Sequence, residues 1–496
     1  MSSLPTEPIT AVRPQRRVLI DTVFLLVALS ALFIVTNPSP EVGDPDIWLH
    51  LRTGQLILAK HAVPVVDTLS SRAAGHEWIA YSWLFDVLVY EIYSAWGYNG
   101  LLILALAGAL ASTAWLIVFL AQYTKLPRAM IVAFLAALAT VPLRTPRPWM
   151  FTVLFFTIEM SLLWMARERN RPAWLLPIVP LFAIWANLHI QFVYGIGLLG
   201  LFALDSSLPD AARRALSAEP RPALRSVWLW ALLGASCLAT FLNPYGWNLC
   251  RTIFEYATQN SPMIYIQEYQ AMPFRAPWNW IGFALVCAAI FVLGCARGKS
   301  LVLIAALAAA CFFGFRSQRD IWFPVTVAAL ILATGIPKSE DFVSSRCRYA
   351  IAIPLSFALA LGFVAFDSRF SNAALLPKIE ERFPVKACSY VESHGLQGPL
   401  FNSYSWGDYI IWRLPGMPVS IDGRSNFYES TLAAAANTVT GQKSWSQDPA
   451  LRAARTIIIE QDFALTSILR VDPAYRLLYE DKTAAVFQPV NAPAQR

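Results

Sequence analysis

Side chains capable of acid–base chemistry cluster near the start of the chain, in residues 43–52 (GDPDIWLHLR). The stretch places two carboxylates, an imidazole and a guanidinium beside an apolar run, where charge is costly. Asp44 and the following proline are typical of a helix start, which puts Asp46 and His50 on one helix face. A capped helix at a lipid or protein surface accounts for Asp44 and explains Asp46, His50 and Arg52 less well.

Arginine pairs at two polar turns form a second group of candidates. Arg144 and Arg147 bracket a proline-rich turn, and Arg316 and Arg319 lie in another. Guanidinium forks match the oxygens of a phosphate and keep their charge at any relevant pH. Snorkelling of ordinary interfacial arginines explains Arg144 and Arg147 equally well. We expect Asp320 to be a salt-bridge partner of the pair Arg316 and Arg319, and we favour a structural role for it.

Two further polar residues stand between apolar runs. His189, in the run NLHIQ, is suited to bind a phosphate or an acceptor, and an interhelical contact is the alternative. Glu268 lies in a long polar connection, where it is either a second functional carboxylate or a solvated loop acid. We favour the solvated acid for Glu268.

The composition is that of an integral membrane protein. The 496 residues are 56% hydrophobic and only 14% charged, with a mean hydropathy of +0.48. The net charge of +7 does not indicate nucleic-acid binding, because the cations lie mostly in short loops between apolar runs. The seven cysteines show no CxxC spacing, so the sequence predicts neither a disulfide framework nor a zinc site.

Charge distribution predicts the topology. Residues 1–17 form a basic cytoplasmic tail before an uncleaved first span at 18–36. We assign residues 37–99 to the outside, because Asp86 and Glu91 would each cost about 2.5–3.5 kcal/mol at the middle of a bilayer. The later spans, which leave every inside loop basic, are 100–121, 129–143, 150–165, 174–188, 190–205, 227–242, 279–296, 300–315, 321–336 and 349–366.

We therefore predict a mostly α membrane protein with about eleven transmembrane helices at 18–366, followed by a small external α/β domain at 367–496. In this domain a helix at Glu380–Ser393 is expected to stop at Gly395. A mixed sheet is expected, ending in a hairpin across residues 480–483. Its predicted strands are Pro399–Tyr404, Tyr409–Leu414, Val419–Asp422, Thr456–Glu460, Tyr475–Tyr479 and Ala484–Gln488.

The pattern Asp-x-x-x-His-x-Arg after a first span resembles the first acidic motif of the oligosaccharyltransferase catalytic subunit. More broadly it is similar to the GT-C class of polyprenyl-phosphate-sugar-dependent glycosyltransferases. The resemblance matches Asp46 to the functional aspartate, and His50 and Arg52 to the residues four and six later. A continuation typical of uncharacterised bacterial multi-pass members comprises Gly54, Pro64, Asp67, Ser70 and Ser71.

A second similarity lies in the C-terminal domain. The run Ser-Trp-Gly-Asp-Tyr resembles the Trp-Trp-Asp-Tyr-Gly signature of the same subunit, which implies that Trp406 and Asp408 bind the acceptor. Gly407 replaces the second tryptophan, which puts a peptide acceptor in doubt. A purely structural turn is the alternative, and we favour it for Trp406. For Asp422 and Arg424, in a following strand end, acceptor binding and a structural role both remain open.

The metal requirement departs from the oligosaccharyltransferase pattern. In that pattern a second acidic motif binds a divalent metal together with the first, whereas the corresponding loop here carries Arg144 and Arg147. Either arginine takes the place of the metal, as in metal-independent GT-C members, or Glu268 completes a metal site. We expect no metal and no other cofactor.

The resemblance implies a multi-pass inner-membrane glycosyltransferase whose active face and C-terminal domain are periplasmic. It would transfer a sugar, with inversion, from a polyprenyl-phosphate donor to an extracytoplasmic glycan, lipid or protein. A transporter or flippase of a lipid-linked substrate would instead predict inverted repeats, and a scaffold would tolerate loss of Asp46. The predicted site has Asp46 as base, Arg144, Arg147, His189, Arg316 and Arg319 on the phosphate, Asp44, His50, Arg52 and Glu268 in support, and Trp406, Asp408, Asp422 and Arg424 at the acceptor.

Overall fold

The computed structural model describes residues 44–490 except for 221, 223, 297, 336–354, 356–357 and 443. The predicted tail at 1–17 and the first predicted span at 18–36 lie outside the described residues. Of the last predicted span, the part at 358–366 is described and helical.

The apolar runs between the polar connections form helices, as expected of backbone that must satisfy its own hydrogen bonds in lipid. Three of the described helices, α2, α4 and α11 below, are long and apolar enough to cross a membrane, and the other apolar helices are shorter. The labelled helices are α1 (Ile47–Lys60), α2 (Trp83–Leu120), α3 (Leu126–Ala139), α4 (Trp149–Arg169), α5 (Ile178–Leu188), α6 (Phe192–Ser207), α7 (Asp210–Ala215), α8 (Ser226–Ala239), α9 (Asn248–Thr258), α10 (Ser261–Tyr265), α11 (Pro277–Cys295), α12 (Leu301–Arg316) and α13 (Trp322–Thr334).

Helix α2 is broken where we predicted the boundary between a surface helix and a span. Gly97 has a φ of 64°, which a residue with a side chain rarely adopts. The Asn372 side chain lies against this glycine and hydrogen-bonds to the carbonyl of Trp96 and the amide of Asn99, both at 3.0 Å. A Cβ at position 97 would lie 2.7 Å from Asn372 Nδ2, so the glycine admits this contact with the C-terminal domain.

Helix α1 packs within the protein. It begins at Ile47, and Asp44 Oδ1 accepts a hydrogen bond from the amide of Asp46 at 3.1 Å. The predicted start at Asp44 and Pro45 is therefore slightly early. The fully buried ring of Trp48 contacts Tyr98 and Tyr409, with centroid distances of 5.8 and 4.9 Å. These contacts fix Asp46, at the helix start, relative to the C-terminal domain.

The C-terminal domain is a small α/β unit with a mixed four-stranded sheet of order β1-β2-β4-β3. Strand β1 is parallel to β2, while β4 is antiparallel to both β2 and β3. Its elements are α14 (Asn372–Arg382), α15 (Val385–Ser393), β1 (Leu400–Asn402), α16 (Gly407–Arg413), α17 (Leu432–Val439), α18 (Pro449–Ala453), β2 (Thr456–Glu460), α19 (Ala464–Val471), β3 (Tyr475–Glu480) and β4 (Ala484–Pro489).

Several predicted elements of this domain are wrong in detail. The predicted strand Tyr409–Leu414 falls in helix α16 up to Arg413. Val419–Asp422 does not join the sheet, and Val419 forms an isolated bridge with Ser70 of the first predicted external loop. The predicted helix Glu380–Ser393 is two helices, because the chain is extended at Phe383 before Pro384. The other four predicted strands and the terminal hairpin are present.

The first predicted external loop and the C-terminal domain contact each other directly, so the two lie on the same side of the membrane-spanning helices. The amide of Ser71 donates to the carbonyl of Val419 at 2.8 Å. Arg424 is buried between Asp67 at 2.7 Å and Asp422 at 2.6 Å, and its guanidinium lies 4.5 Å from the ring of Trp78. The paired charges and aromatic contact give this junction a specific geometry next to Asp46.

Candidate active site

A cavity of about 470 Å³ lies where α1, the turn before α4, the α5–α6 connection, the loop before α11 and the C-terminal domain meet. The connection between α12 and α13 contributes Arg319 as well, so the cavity brings together residues from at least six distant parts of the sequence. Its acidic, basic and imidazole side chains are Asp46, His50, Arg147, His189, Glu268, Arg319, Arg382 and Asp408.

Arg147 is the centre of an ion network with three carboxylates. Its Nε lies 2.5 Å from Asp44 Oδ2, and its Nη1 lies 3.0 Å from Asp46 Oδ2 and 2.7 Å from Glu268 Oε2. The guanidinium also lies 4.6 Å from the ring centroid of Trp149, a cation–π contact. The side chain of Arg147 is therefore fixed in position, and its single positive charge lies among three carboxylates.

This network separates the protonation behaviour of the two aspartates. Burial alone would raise the pKa of Asp44, but the charge of Arg147 and hydrogen bonds bring that pKa below its ordinary value. The Asp46 side chain is 33% exposed, and its exposed part faces the cavity. Burial of the rest raises the pKa of Asp46 to about 6, and the charges of Asp44 and Glu268 add to this shift. Asp46 is thus ionised near neutral pH and basic enough to accept a proton.

Glu268 lies between two arginines. Besides its contact with Arg147, its Oε1 is 3.6 Å from Nη1 of Arg319, whose guanidinium lies over the ring of Tyr269 at 4.6 Å. Glu268 is therefore part of the ion network, and the favoured interpretation as a solvated acid is wrong. The predicted salt bridge between Asp320 and the pair Arg316 and Arg319 is also replaced, because Asp320 accepts from Gln191 and Tyr194.

Two histidines line the cavity with different partners. His50 Nδ1 lies 2.6 Å from Asp86 Oδ1, so Asp86 is buried against an imidazole instead of facing a membrane surface. His189 Nδ1 lies 2.8 Å from the hydroxyl of Thr152, which also accepts from the indole of Trp185. Both imidazoles are held in fixed orientations at the cavity wall.

The acceptor candidates divide into two groups. Asp408 lines the cavity and accepts from the amide of Gly423 at 2.9 Å, and burial and the charge of Asp422 raise its pKa well above the ordinary value. Arg424 lines a small adjoining cavity of about 70 Å³ together with Asp46. Asp422, fully buried, binds Arg424 and Tyr428 and lines neither cavity.

Three other candidates do not line the cavity and have other partners. Arg144 donates to the backbone carbonyl of Ala137 at 2.6 Å, Arg52 donates to Gln55 at 2.6 Å, and the indole of Trp406 donates to the carbonyl of Arg382 at 3.0 Å. Of the predicted pair Arg144 and Arg147, only Arg147 lines the cavity. Arg319 lines it instead of Arg144.

A second cavity of about 500 Å³, mainly apolar, lies between α6 and α12. We call it the apolar groove, and its walls include Val193, Leu198, Leu201 and Phe313. Arg316 lies on it, close to Met263 Sδ at 3.3 Å. The groove adjoins the site, since Tyr81, Tyr256, Tyr269 and Arg319 line both cavities.

These shared tyrosines and Arg382 are not among the site residues predicted from the sequence. Single tyrosines in apolar or loop segments carry no spacing that distinguishes a cavity wall from ordinary packing. No group of three or more His, Cys, Asp or Glu side chains is arranged to hold a metal ion within the described part of the chain. Around Arg147, where three carboxylates do converge, the guanidinium itself occupies the position between them.

Comparison with known proteins places the fold. No family model matches the sequence, and no curated protein matches it significantly. The chain is similar in structure to ArnT from Cupriavidus metallidurans, solved in complex with undecaprenyl phosphate. The TM-score is 0.52 at 12% sequence identity, and the alignment covers 97% of this chain and 100% of ArnT. The chain therefore shares the membrane-protein fold of ArnT over nearly its whole length.

Proposed function

We propose that the protein is a membrane glycosyltransferase of the GT-C class that uses a polyprenyl-phosphate-linked sugar. The observation that carries the proposal is one cavity that holds a carboxylate base, Asp46, and two arginines, Arg147 and Arg319, and adjoins the apolar groove. A polyprenyl phosphate has the matching parts, an anionic head and a long apolar chain. The likeness to ArnT, solved with undecaprenyl phosphate, supports this donor class.

In the proposed reaction Asp46 takes the proton from an acceptor hydroxyl as the hydroxyl oxygen attacks the anomeric carbon of the sugar. The bond from that carbon to the phosphate oxygen breaks, and polyprenyl phosphate leaves with the electron pair. Arg147 and Arg319 stabilise the charge that develops on the phosphate, and His189 lies on the same cavity wall. Attack from the face opposite the phosphate inverts the anomeric configuration.

The acceptor would approach from the C-terminal domain, where Asp408 and Arg424 lie next to Asp46. No divalent metal is needed in this proposal, because Arg147 supplies the positive charge among the carboxylates. With the topology that we predicted from the basic loops, the site would lie on the outer face of the plasma membrane. The product would then be a glycan, lipid or protein of the cell envelope.

The donor assignment is tested by filling the apolar groove. Gly197 lines the groove with open space where a side chain would start, and Gly234 on α8 has equal space and lines neither cavity. Gly197→Trp should abolish binding of undecaprenyl phosphate, measured with the purified protein in detergent, while Gly234→Trp should bind like the native chain. Undiminished binding by Gly197→Trp would refute the groove as the place of the polyprenyl chain.

A further inference from the structure

Glu268 holds an unusual position for an acid in a site that is to bind phosphate. Its carboxylate accepts from Arg147 at 2.7 Å and lies 3.6 Å from Arg319, so it stands between the two cations on which the donor phosphate depends. A carboxylate and a phosphate present similar oxygens to guanidinium groups. The two anions cannot occupy the same position.

We propose that Glu268 is a selectivity residue, a built-in anion that holds the phosphate position in the empty site and is displaced by a lipid-linked phosphate. The inference rests on the proposed function and adds a role for Glu268. A free phosphate ion must compete with this carboxylate using its charge alone. A polyprenyl phosphate gains the burial of its chain in the apolar groove as well, and so it alone binds strongly enough.

The surroundings of Glu268 suit a group that is displaced. It lies on a short 3-10 turn, Gln267–Tyr269, and its side chain is 28% exposed. Earlier in the same connection, Ser261 is held to the C-terminal domain, because Glu429 accepts a hydrogen bond from the amide of Ser261 at 3.2 Å. The side chain can therefore leave Arg147 while the connection stays attached at that point.

Arg319 has unused capacity for a larger anion. Its Nε is buried and has no hydrogen-bond acceptor among the described residues, although Glu268 lies beside its Nη1. A buried donor without an acceptor costs free energy, and a third terminal oxygen would remove that cost. The monoester undecaprenyl phosphate has three terminal oxygens, whereas a carboxylate has two.

The test compares phosphate binding to the native protein and to Glu268→Gln. Glutamine keeps the size and one accepting oxygen but removes the charge, so undecaprenyl phosphate should bind about tenfold or more tightly. Inorganic phosphate should compete with undecaprenyl phosphate in the variant at concentrations that have no effect on the native protein. Glu77→Gln is the matched control, since Glu77 pairs with Arg251 at a surface position, and it should leave both affinities unchanged.

The outcomes separate this inference from the proposed function. Unchanged or weaker binding of undecaprenyl phosphate by Glu268→Gln, with normal binding by the native chain, would overturn the role of Glu268 and leave the donor assignment intact. Equal competition by inorganic phosphate in both proteins would also overturn it. Absence of undecaprenyl phosphate binding by every chain would refute the proposed donor, and with it the displacement.

Discussion

Arg147→Lys should weaken donor binding while preserving the charge of the site. In the structure one guanidinium reaches Asp44 with Nε at 2.5 Å and Glu268 with Nη1 at 2.7 Å. A lysine ammonium is a single point of charge that cannot hold Asp44 and also reach a phosphate. The loss of one charge-assisted hydrogen bond, about 1.5–3 kcal/mol, corresponds to an affinity about 10- to 150-fold lower.

The neighbouring arginine provides the control for this experiment. Arg144 lies in the same turn but donates to the carbonyl of Ala137 and does not line the cavity. Arg144→Lys should therefore change the dissociation constant of undecaprenyl phosphate by less than about threefold. The measurement is a titration of each purified variant, at equal yield, with undecaprenyl phosphate. Equal losses in the two variants, or none in Arg147→Lys, would refute the assignment of Arg147 to the donor phosphate.

Three more outcomes follow from the structure. Asp46 acts in its ionised form and its pKa is about 6, so kcat/KM should fall about tenfold per pH unit below that pKa and stay level above about pH 7. A flat pH profile would contradict the assignment of Asp46 as the base. Transfer should survive EDTA, because Arg147 holds the position between the carboxylates, and loss that Mn²⁺ or Mg²⁺ restores would show a metal requirement. Cysteines placed at the exposed Ser71 and Ser430 should both react with a membrane-impermeant reagent from outside, and labelling of only one would refute the topology.

The helices could be predicted from the sequence because lipid leaves the backbone few alternatives. Each predicted span at 100–336 coincides with an apolar helix, and the sequence also separated residues 78–93 from the next span. Asp46 was identifiable from its spacing to His50 and Arg52 and from its place after an apolar run. These features could be predicted because they depend only on residues that are close together in the sequence.

The direction in which a side chain points could not be predicted. Arg144 and Arg147 are equivalent in sequence, and only the packed structure aims one at Ala137 and the other at three carboxylates. Glu268 is a similar case, because its partners Arg147 and Arg319 lie far away in the chain. Long-range ion pairs leave no periodic pattern that marks them beforehand.

The wrong strand at Tyr409–Leu414 has a tertiary cause. The run Tyr-Ile-Ile-Trp favours a strand by composition, yet it forms helix α16, and Tyr409 and Ile410 are buried. The ring of Tyr409 packs against Trp48 of α1 with a centroid distance of 4.9 Å. Packing against the first helix thus outweighs the local preference, and it also places Asp408 in the cavity.

The central claim is that Asp46 is the base for sugar transfer, and it is tested most directly with Asp46→Asn. Asp44→Asn does not serve as a neutral comparison, since Asp44 holds Arg147 and its loss should weaken donor binding as well. The measurement is release of undecaprenyl phosphate from its sugar-linked form, in membranes with equal amounts of native and variant protein. We predict that Asp46→Asn binds undecaprenyl phosphate at least as tightly as the native chain but transfers about 10²–10⁴-fold more slowly. Transfer by Asp46→Asn at the native rate would contradict the account.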